Sequence, residues 1–352
     1  LRGKVISDLQ TPTYHEGTVE TQVAGQSANS IGLVLGSAIA PEHLQSAAAA
    51  AERGGFDELW LAEDYFFTGG ISAATTALAA TERIRVGLGV VSAVARHPAL
   101  LAMEISTISR AFPGRLTAGI GLGVPGWIAQ MGLRPPTQLG AMRECVTGVR
   151  RLLRGEEVTR EGRVFTFDRI RLVFPETEAT PVHMGVIGPK MLRLSGEIAD
   201  GTVVSVAANA TYVSWARERI DEGRAAAGRS DDHRVTVFAI YAVDEDGAAA
   251  RRAVRAPLAF YKSNGPNTLT DVQGVSDELS AILERGGYDA LVAEMPDSWI
   301  EDLTISGTPE ECAAKIARYY AAGADSVALF PMPSDRVDSI VRLTAERVLP
   351  LL

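Results

Sequence analysis

The stretch RVGLGVVSAVARHPALLAMEISTISRAFPGRLTAGIGLG, residues 85–123, holds one complete turn of a repeating pattern. Arg85 to Val91 is a short apolar run that reads as a strand. Pro98 then opens a helix, because proline fits a first helical turn, where its missing N–H would have no partner in any case. Leu101, Ile105, Ile108 and Phe112 fall on one face of that helix. Pro113-Gly114 stops it, and Leu116 to Ile120 begins the next strand. Strand, loop, helix, stop and strand again is the grammar of a parallel sheet covered by helices.

The same grammar extends in both directions. Upstream, Ile31 to Gly36 is a strand, Pro41 starts a helix carrying Leu44, Ala47, Ala48 and Ala51, and Gly54 ends it. Glu58 to Ala62 follows as a second strand, leading through Glu63-Asp64-Tyr65-Phe66-Phe67-Thr68-Gly69-Gly70 into an alanine-rich helix that ends near Thr81. Downstream, a helix is expected from about Leu139 to Arg154 and a small surface hairpin within 157–174. Further strands are expected at Val182 to Val186, Thr202 to Val206, Val235 to Val243 and Asp325 to Phe330. Thr308 and Glu311 form a capping box with Pro309 at the first helical position; that helix stops at Gly323, and a terminal helix covers Ser334 to Val348. Eight strands alternating with helices point to a closed (βα)8 TIM barrel, with a doubly wound open sheet as the second reading. Residues 1–30 are polar and aperiodic and read as an N-terminal extension. Residues 31–352 read as one domain, with an insertion at about 263–305 that overhangs one mouth of the barrel.

Bulk composition narrows the function. The 352 residues are 46% hydrophobic and 22% charged, enough apolar material for a large core, and the formal charge of −9 offers no broad basic surface for nucleic acid. Arg143 to Arg154 reads as one solvated helix face. Cys145 and Cys312 have no cysteine or histidine cluster around them and read as buried thiols of a reducing cytoplasm. No apolar run approaches the roughly 20 residues of a membrane-spanning helix, and a cytoplasmic protein is expected. Metal-ligand spacing and a GxSxG elbow are both missing, so zinc hydrolysis and triad chemistry lack support.

In a barrel the chemistry sits at the carboxyl ends of the strands, which singles out four loops. Glu63 and Asp64 could act as acid or base or hold a polar edge; the alternative is a helix cap or a salt bridge. Gly87 and Gly89 mark either close approach by a ligand or tight packing within the barrel. Gly121-Leu122-Gly123 offers exposed amides but lacks the spacing of a dinucleotide fingerprint. Gly185-Val186-Ile187-Gly188-Pro189-Lys190 opens a helix with Met191, Leu194 and Ile198 on its core face, and its start could bind a phosphate. His97, just before Pro98, could cap that helix or serve in catalysis; His43 and His183 read as structural.

Taken together, Leu59 to Phe66, Glu82 to Val90, Arg96-His97-Pro98-Ala99, Phe112 to Arg115, Gly119 to Gly123, Gly188-Pro189-Lys190 and Gly196 to Gly201 resemble the luciferase-like monooxygenase superfamily. The resemblance runs in order from Ile31 to the C-terminal helix. It is strongest to the branch that uses coenzyme F420, a deazaflavin. It implies a bacterial-luciferase-like barrel with the cofactor ring across the strand ends and a non-prolyl cis peptide at Gly89-Val90. Gly89, Val90, Gly121 and Gly123 would contact the ring, and Val186, Ile187, Gly188, Pro189 and Lys190, with Ser205, would hold the cofactor phosphate.

Where several such enzymes carry a glutamate after the Gly-x-Gly, this chain has Val124. Proton delivery would therefore fall to Asp64 or Glu63, with His97 third, and Phe66, Trp127 and Phe330 would wall the substrate pocket. The expected reaction is hydride transfer between F420 and a small organic molecule, as reduction of an activated C=C, C=N or C=O bond or the reverse oxidation. An FMN-dependent two-component monooxygenase is the alternative, and a barrel that binds flavin or another ligand without turnover is the third reading. Family members often dimerise, so a homodimer is expected, with no nucleic-acid or membrane partner.

Overall fold

Side chains alternate between two apolar layers along each strand. In β1 (Ser30–Leu35) and β2 (Glu58–Leu61), Leu33, Leu35, Leu59 and Leu61 pack in one cluster with helix residues such as Leu44, Ala77 and Leu101. Val34 and Trp60 point the other way, into a second cluster with Phe238, Ile240 and Ala328. The first layer lies under a ring of helices; the second fills a closed barrel. The structure is a computed structural model that describes residues 29–352, so the expected extension at 1–30 lies outside the described residues except for Asn29 and Ser30, and Ser30 already belongs to β1.

The chain continues through β3 (Arg85–Ser92) and β4 (Leu116–Gly121), then makes an antiparallel hairpin of β5 (Val158–Glu161) and β6 (Thr166–Ile170). The barrel resumes with β7 (Val182–Gly185), β8 (Gly201–Val204) and β9 (Arg234–Val243); a short β10 (Ile305–Gly307) and then β11 (Ser326–Pro331) complete the strands. Parallel pairing runs β1-β2-β3-β4-β7-β8-β9-β11, and β11 pairs back onto β1, from Ser30 opposite Ser326 to Leu33 opposite Leu329. That closure excludes the open doubly wound sheet. The hairpin falls inside 157–174, where its turn and alternation placed it.

Around the barrel lie α1 (Leu44–Arg53), α2 (Gly70–Ala79), α3 (Pro98–Ala111), a short α4 (Pro125–Gln130), α5 (Gln138–Leu153), α6 (Pro189–Ile198) and α7 (Ala210–Ala226). After β9 come α8 (Gly247–Lys262), α9 (Thr268–Gln273), α10 (Ser276–Glu294) and α11 (Asp297–Leu303). The stretch 263–305, irregular in sequence, is thus mostly helical. Its periodicity is hidden by Gly265 and Gly274, at φ +84° and +73°, and by a kink at Gly286-Gly287 inside α10. Val254, Leu258, Leu279, Ile282, Leu291, Trp299 and Leu303 of these helices join the cluster of barrel-interior residues, and β10 pairs with the carboxyl end of β9. These helices therefore form a roof over the mouth where the strands end.

α12 (Pro309–Ala321) starts with the full capping box of Thr308 and Glu311. The terminal segment, expected as one helix, divides into a 3-10 turn at Ser334–Arg336, α13 (Val337–Leu343) and a π-turn at Thr344–Val348, where Thr344 Oγ1 meets the buried Tyr241 hydroxyl at 2.8 Å. Cys145 and Cys312 are both buried free thiols.

At the opposite, amino-terminal end of the barrel Glu58 points inward, its side chain 8% exposed. Burial alone would push its carboxyl up. Arg85 at 3.1 Å, the Trp60 Nε1–H, Arg234 and the Ser326 hydroxyl overcome that and hold it below the usual carboxylate range. One carboxylate thus ties β2, β3, β9 and β11 together where the barrel closes.

Candidate active site

The C-terminal ends of the strands bring most of the sequence candidates to one face. At its centre, β3 breaks its pairing register with β4 between Leu88 and Val91, and the Gly89–Val90 peptide is cis, where the family resemblance put it. Val90 is partly exposed, although its strand neighbours Leu88 and Val91 are fully buried. Glycine stands at matching positions on β4, which pairs with β3, and on β7, the next strand beyond, where Gly121 faces Gly185 in the register. A Cβ on Gly121 would stand 2.6 Å from Val90 Cγ2, and one on Gly185 would stand 2.9 Å from Val90 Cγ1. The glycines therefore leave room for the valine, and the result is a low apolar floor that fits a flat ring. Gly123 adopts φ +87°, a backbone state that side-chain-bearing residues avoid, and its Cα faces the Tyr65 hydroxyl.

For Gly87 and Gly89 the tight-packing reading holds. A Cβ on Gly87 would lie 2.2 Å from the Trp60 indole, and one on Gly89 would lie 2.8 Å from the Phe238 ring, two aromatic side chains that meet edge-on with centroids 5.5 Å apart.

The adjacent acids Glu63 and Asp64 are put to different uses. Both oxygens of Glu63 pair with Arg96, each at 3.1 Å, and Oε2 also accepts the N–H of Gly70 at the first residue of α2. With its side chain 6% exposed and three hydrogen bonds on its two oxygens, Glu63 is a clasp between the β2 loop, α2 and the segment before α3. The salt bridge and helix cap that formed the alternative reading of this acid are both present. Asp64 stays at the mouth, partly exposed, and its Oδ2 accepts a 2.6 Å hydrogen bond from Ser37, just past β1.

His97 shows the helix-capping contact that was one of its two readings. Its Nδ1 accepts the Ala99 N–H as the N-cap of α3, and its Nε2 lies 3.1 Å from the Thr166 carbonyl, which fixes the tautomer with hydrogen on Nε2. The ring packs against Phe165 and Phe167 at centroid distances of 5.7 and 5.0 Å. Both nitrogens are occupied in tying the β5–β6 hairpin to α3.

On the β7 side, Gly188 is the N-cap of α6, with no side chain capping it and Pro189 at the first position. The Val186 N–H donates to the Val203 carbonyl at 3.3 Å, so this amide, expected to hold phosphate, is spent on the sheet. Ile187 and Gly188 remain, and among the described residues neither of their N–H groups finds a partner. The Ile187 carbonyl accepts from the Tyr212 hydroxyl at 2.6 Å, which fixes the loop. Lys190 is exposed on the first turn of α6, and Ser205 is exposed immediately after β8.

Phe66 is 70% exposed at φ +72°, and Phe67 is 58% exposed. Trp127 packs 6.3 Å from Tyr65 and 6.4 Å from Phe67, giving the mouth an aromatic rim. Phe330, at the end of β11, is partly buried and packs on the barrel-interior cluster. From the roof, Tyr261 reaches the surroundings of Asp64: burial pushes its hydroxyl up to about 12, and the Asp64 charge adds to the effect. Ser37 and Tyr261 were not singled out from sequence, since each lies in a segment without a motif and meets the Asp64 loop only in the folded chain. Arg96 stood inside the Arg96-His97-Pro98 signature, and the neighbouring acids were the signal for its partner. Among the described residues there is no metal-binding cluster of His, Cys, Asp and Glu, and no helix is long and apolar enough to cross a membrane.

Comparison with known proteins agrees with this architecture. The family model described as luciferase-like monooxygenase matches residues 19–326. A 5,10-methylenetetrahydromethanopterin reductase of Archaeoglobus fulgidus is 33% identical over 312 residues, covering 86% of this chain and 93% of its own. An F420-dependent glucose-6-phosphate dehydrogenase of Microbacterium testaceum is 27% identical over 332 residues, covering 89% and 94%. Among solved structures, the coenzyme F420-dependent tetrahydromethanopterin reductase of Methanopyrus kandleri superposes with a TM-score of 0.82 at 25% identity, over 92% of this chain and 99% of its own. With a family match over most of its length, a relative at one-third identity and the same closed barrel, the chain belongs to the luciferase-like monooxygenase family.

Proposed function

We propose that this protein is an F420-dependent oxidoreductase that exchanges a hydride with a small organic substrate at the barrel mouth. The observation that carries the reading is the floor of the site: Val90 is flanked by Gly121 and Gly185 and left partly exposed between the buried Leu88 and Val91. The relatives named for F420 support deazaflavin rather than FMN. When bound, reduced F420 supplies a hydride from C5 of its ring; the protein must supply position, dryness and a proton.

Val90 and the glycines around it would hold the ring of the cofactor. The free N–H groups of Ile187 and Gly188, at the positive end of the α6 dipole and near Ser205, suit an anionic oxygen of the cofactor tail. Phe66, Trp127 and Phe330 offer apolar walls for the substrate. Asp64, held by Ser37, is the group placed to give or take the proton, since Glu63 and His97 are committed elsewhere. Residues 31–352 act as one barrel unit in this reading, with 263–305 part of its roof. Exposed Leu100 and Met103 of α3, beside Val173 and Phe174, support a homodimer, which the mass in solution tests.

The turnover test is oxidation of reduced F420 with a panel of enones, imines and aldehydes, together with the reverse reaction on alcohols. Asp64→Asn is expected to lower kcat by roughly 10²- to 10⁴-fold while F420 affinity is kept. An unchanged kcat would remove Asp64 from the mechanism.

A further inference from the structure

The described tyrosines differ in what their hydroxyls do. Those of Tyr212, Tyr319 and Tyr320 donate to backbone carbonyls, and that of Tyr241 pairs with Thr344. The Tyr65 hydroxyl is buried without a partner, and Tyr288 is an exposed surface residue. Tyr261, in the last turn of α8, fits none of these cases. Its ring is partly buried, its hydroxyl has no hydrogen-bond partner among the described residues, and that oxygen is not one of the sealed polar atoms. A half-buried phenol in this state keeps a donor and an acceptor available to a ligand.

The surroundings place that donor at the mouth. Tyr261 packs on the barrel-interior cluster, as do Val90 of the floor and Phe330 of the wall. Phe330 leans on Gly36, where a Cβ would stand 2.9 Å from its ring, and the next residue, Ser37, holds Asp64. The Asp64 carboxylate in turn lies close enough to disfavour ionisation of Tyr261. The phenol therefore stands on the side of the mouth where β1 and β2 end, across from Asp64. The following residue, Lys262, is buried and bonded to Gln273, which bonds the Ala207 carbonyl after β8, so the turn that carries Tyr261 is anchored.

We propose that Tyr261 donates a hydrogen bond from the roof to the reacting oxygen of an uncharged carbonyl compound, or of the corresponding alcohol, while Asp64 handles the proton. The proposal rests on the mouth being the site of hydride transfer. In the reducing direction the carbonyl carbon accepts a hydride from the reduced deazaflavin, the C=O π pair moves to oxygen, and Asp64 gives that oxygen its proton. The phenol keeps its own proton and stabilises the negative charge as it grows. In the reverse direction Asp64 takes the hydroxyl proton as the hydride leaves carbon. An anionic group at this position would be repelled by Asp64, and the apolar walls of Phe66, Trp127 and Phe330 suit a neutral body.

The test compares the wild type with Tyr261→Phe, which keeps the ring and removes only the unpartnered hydroxyl, so melting temperature and F420 affinity should not change. The probe is cinnamaldehyde, isotopically labelled at its carbonyl carbon. Oxidised F420 has no hydride to give, so the aldehyde stays intact in the complex and difference infrared spectra read its C=O stretch. The stretch should lie lower in the wild type than in Tyr261→Phe. With reduced F420, kcat/KM for the same aldehyde should fall about tenfold or more in the variant, mainly through kcat, because the bond strengthens as charge develops. Equal stretches in the two proteins overturn the proposal whatever the rate does, since a slower variant with an unchanged stretch would leave Tyr261 a packing role alone. Absence of a bound carbonyl band from the wild type overturns it as well. Should the wild type fail to bind F420, the cofactor reading falls, and the stretch measured with the protein alone still decides Tyr261.

Discussion

Neighbours in sequence part company in the folded chain. Glu63 and Asp64 are chemically equivalent on paper, yet one closes an ion pair with Arg96 at the foot of α2 and the other waits at the mouth beside Ser37. Which of them does what depends on Arg96, 33 residues on, and on Ser37, 27 residues back, so no local motif could separate them. His183 and His233 show the opposite case, in which a structural reading has a measurable consequence. Both are buried, and each has an Nδ1 without a partner among the described residues. Burial lowers His183 to about 4, against the pull of Glu58 and Asp200, and lowers His233 to about 3, with His183 and nearby arginines adding to the effect. The unfolded chain protonates them near 6.5 and the folded chain does not, so their contribution is intact above that value and is lost as pH falls toward 4. Stability should decline by roughly 1.4 kcal/mol per pH unit for each histidine between about pH 6 and 4.5. Urea midpoints measured across this range should fall steeply, and a flat profile would contradict the burial of neutral imidazoles.

At the scale of elements, strands and helices were legible because periodicity and punctuation agree. Proline starts α3, α6 and α12, glycine follows α1, and the capping box at Thr308 is realised in full. The helices of the roof were not legible, since Gly265, Gly274 and the Gly286-Gly287 kink break them into pieces too short for a periodic signal. β3 is the element in which packing and function meet. Its Gly87 exists for Trp60, which is 2% exposed and hydrogen-bonded to the buried Glu58, and so cannot retreat. Gly87→Ala is expected to destabilise the protein by about 1–3 kcal/mol, whereas Gly126→Ala, with nothing within 4 Å, should change stability by less than about 0.5 kcal/mol. Thermal melts of the two variants side by side check this, and equal melting would mean that the Trp60 contact is not what requires glycine.

For the whole molecule, the closed barrel puts a buried ionic closure at one end and the proposed site at the other. Glu58, Arg85, Arg234 and Ser326 lock the amino-terminal end, while the loops and the roof at the carboxyl end are free to define a ligand. The fold could be read from the repeating unit, and the proposed cofactor face rests on the rule that barrels work at their strand ends. The state of the Val186 amide could not, since it depends on the Val203 carbonyl of β8, 17 residues on. The most direct test of the account is an equilibrium titration of the purified protein with F420 and, separately, with FMN. The account predicts saturable binding of F420 and much weaker binding of FMN; tight binding of FMN with none of F420 would contradict it.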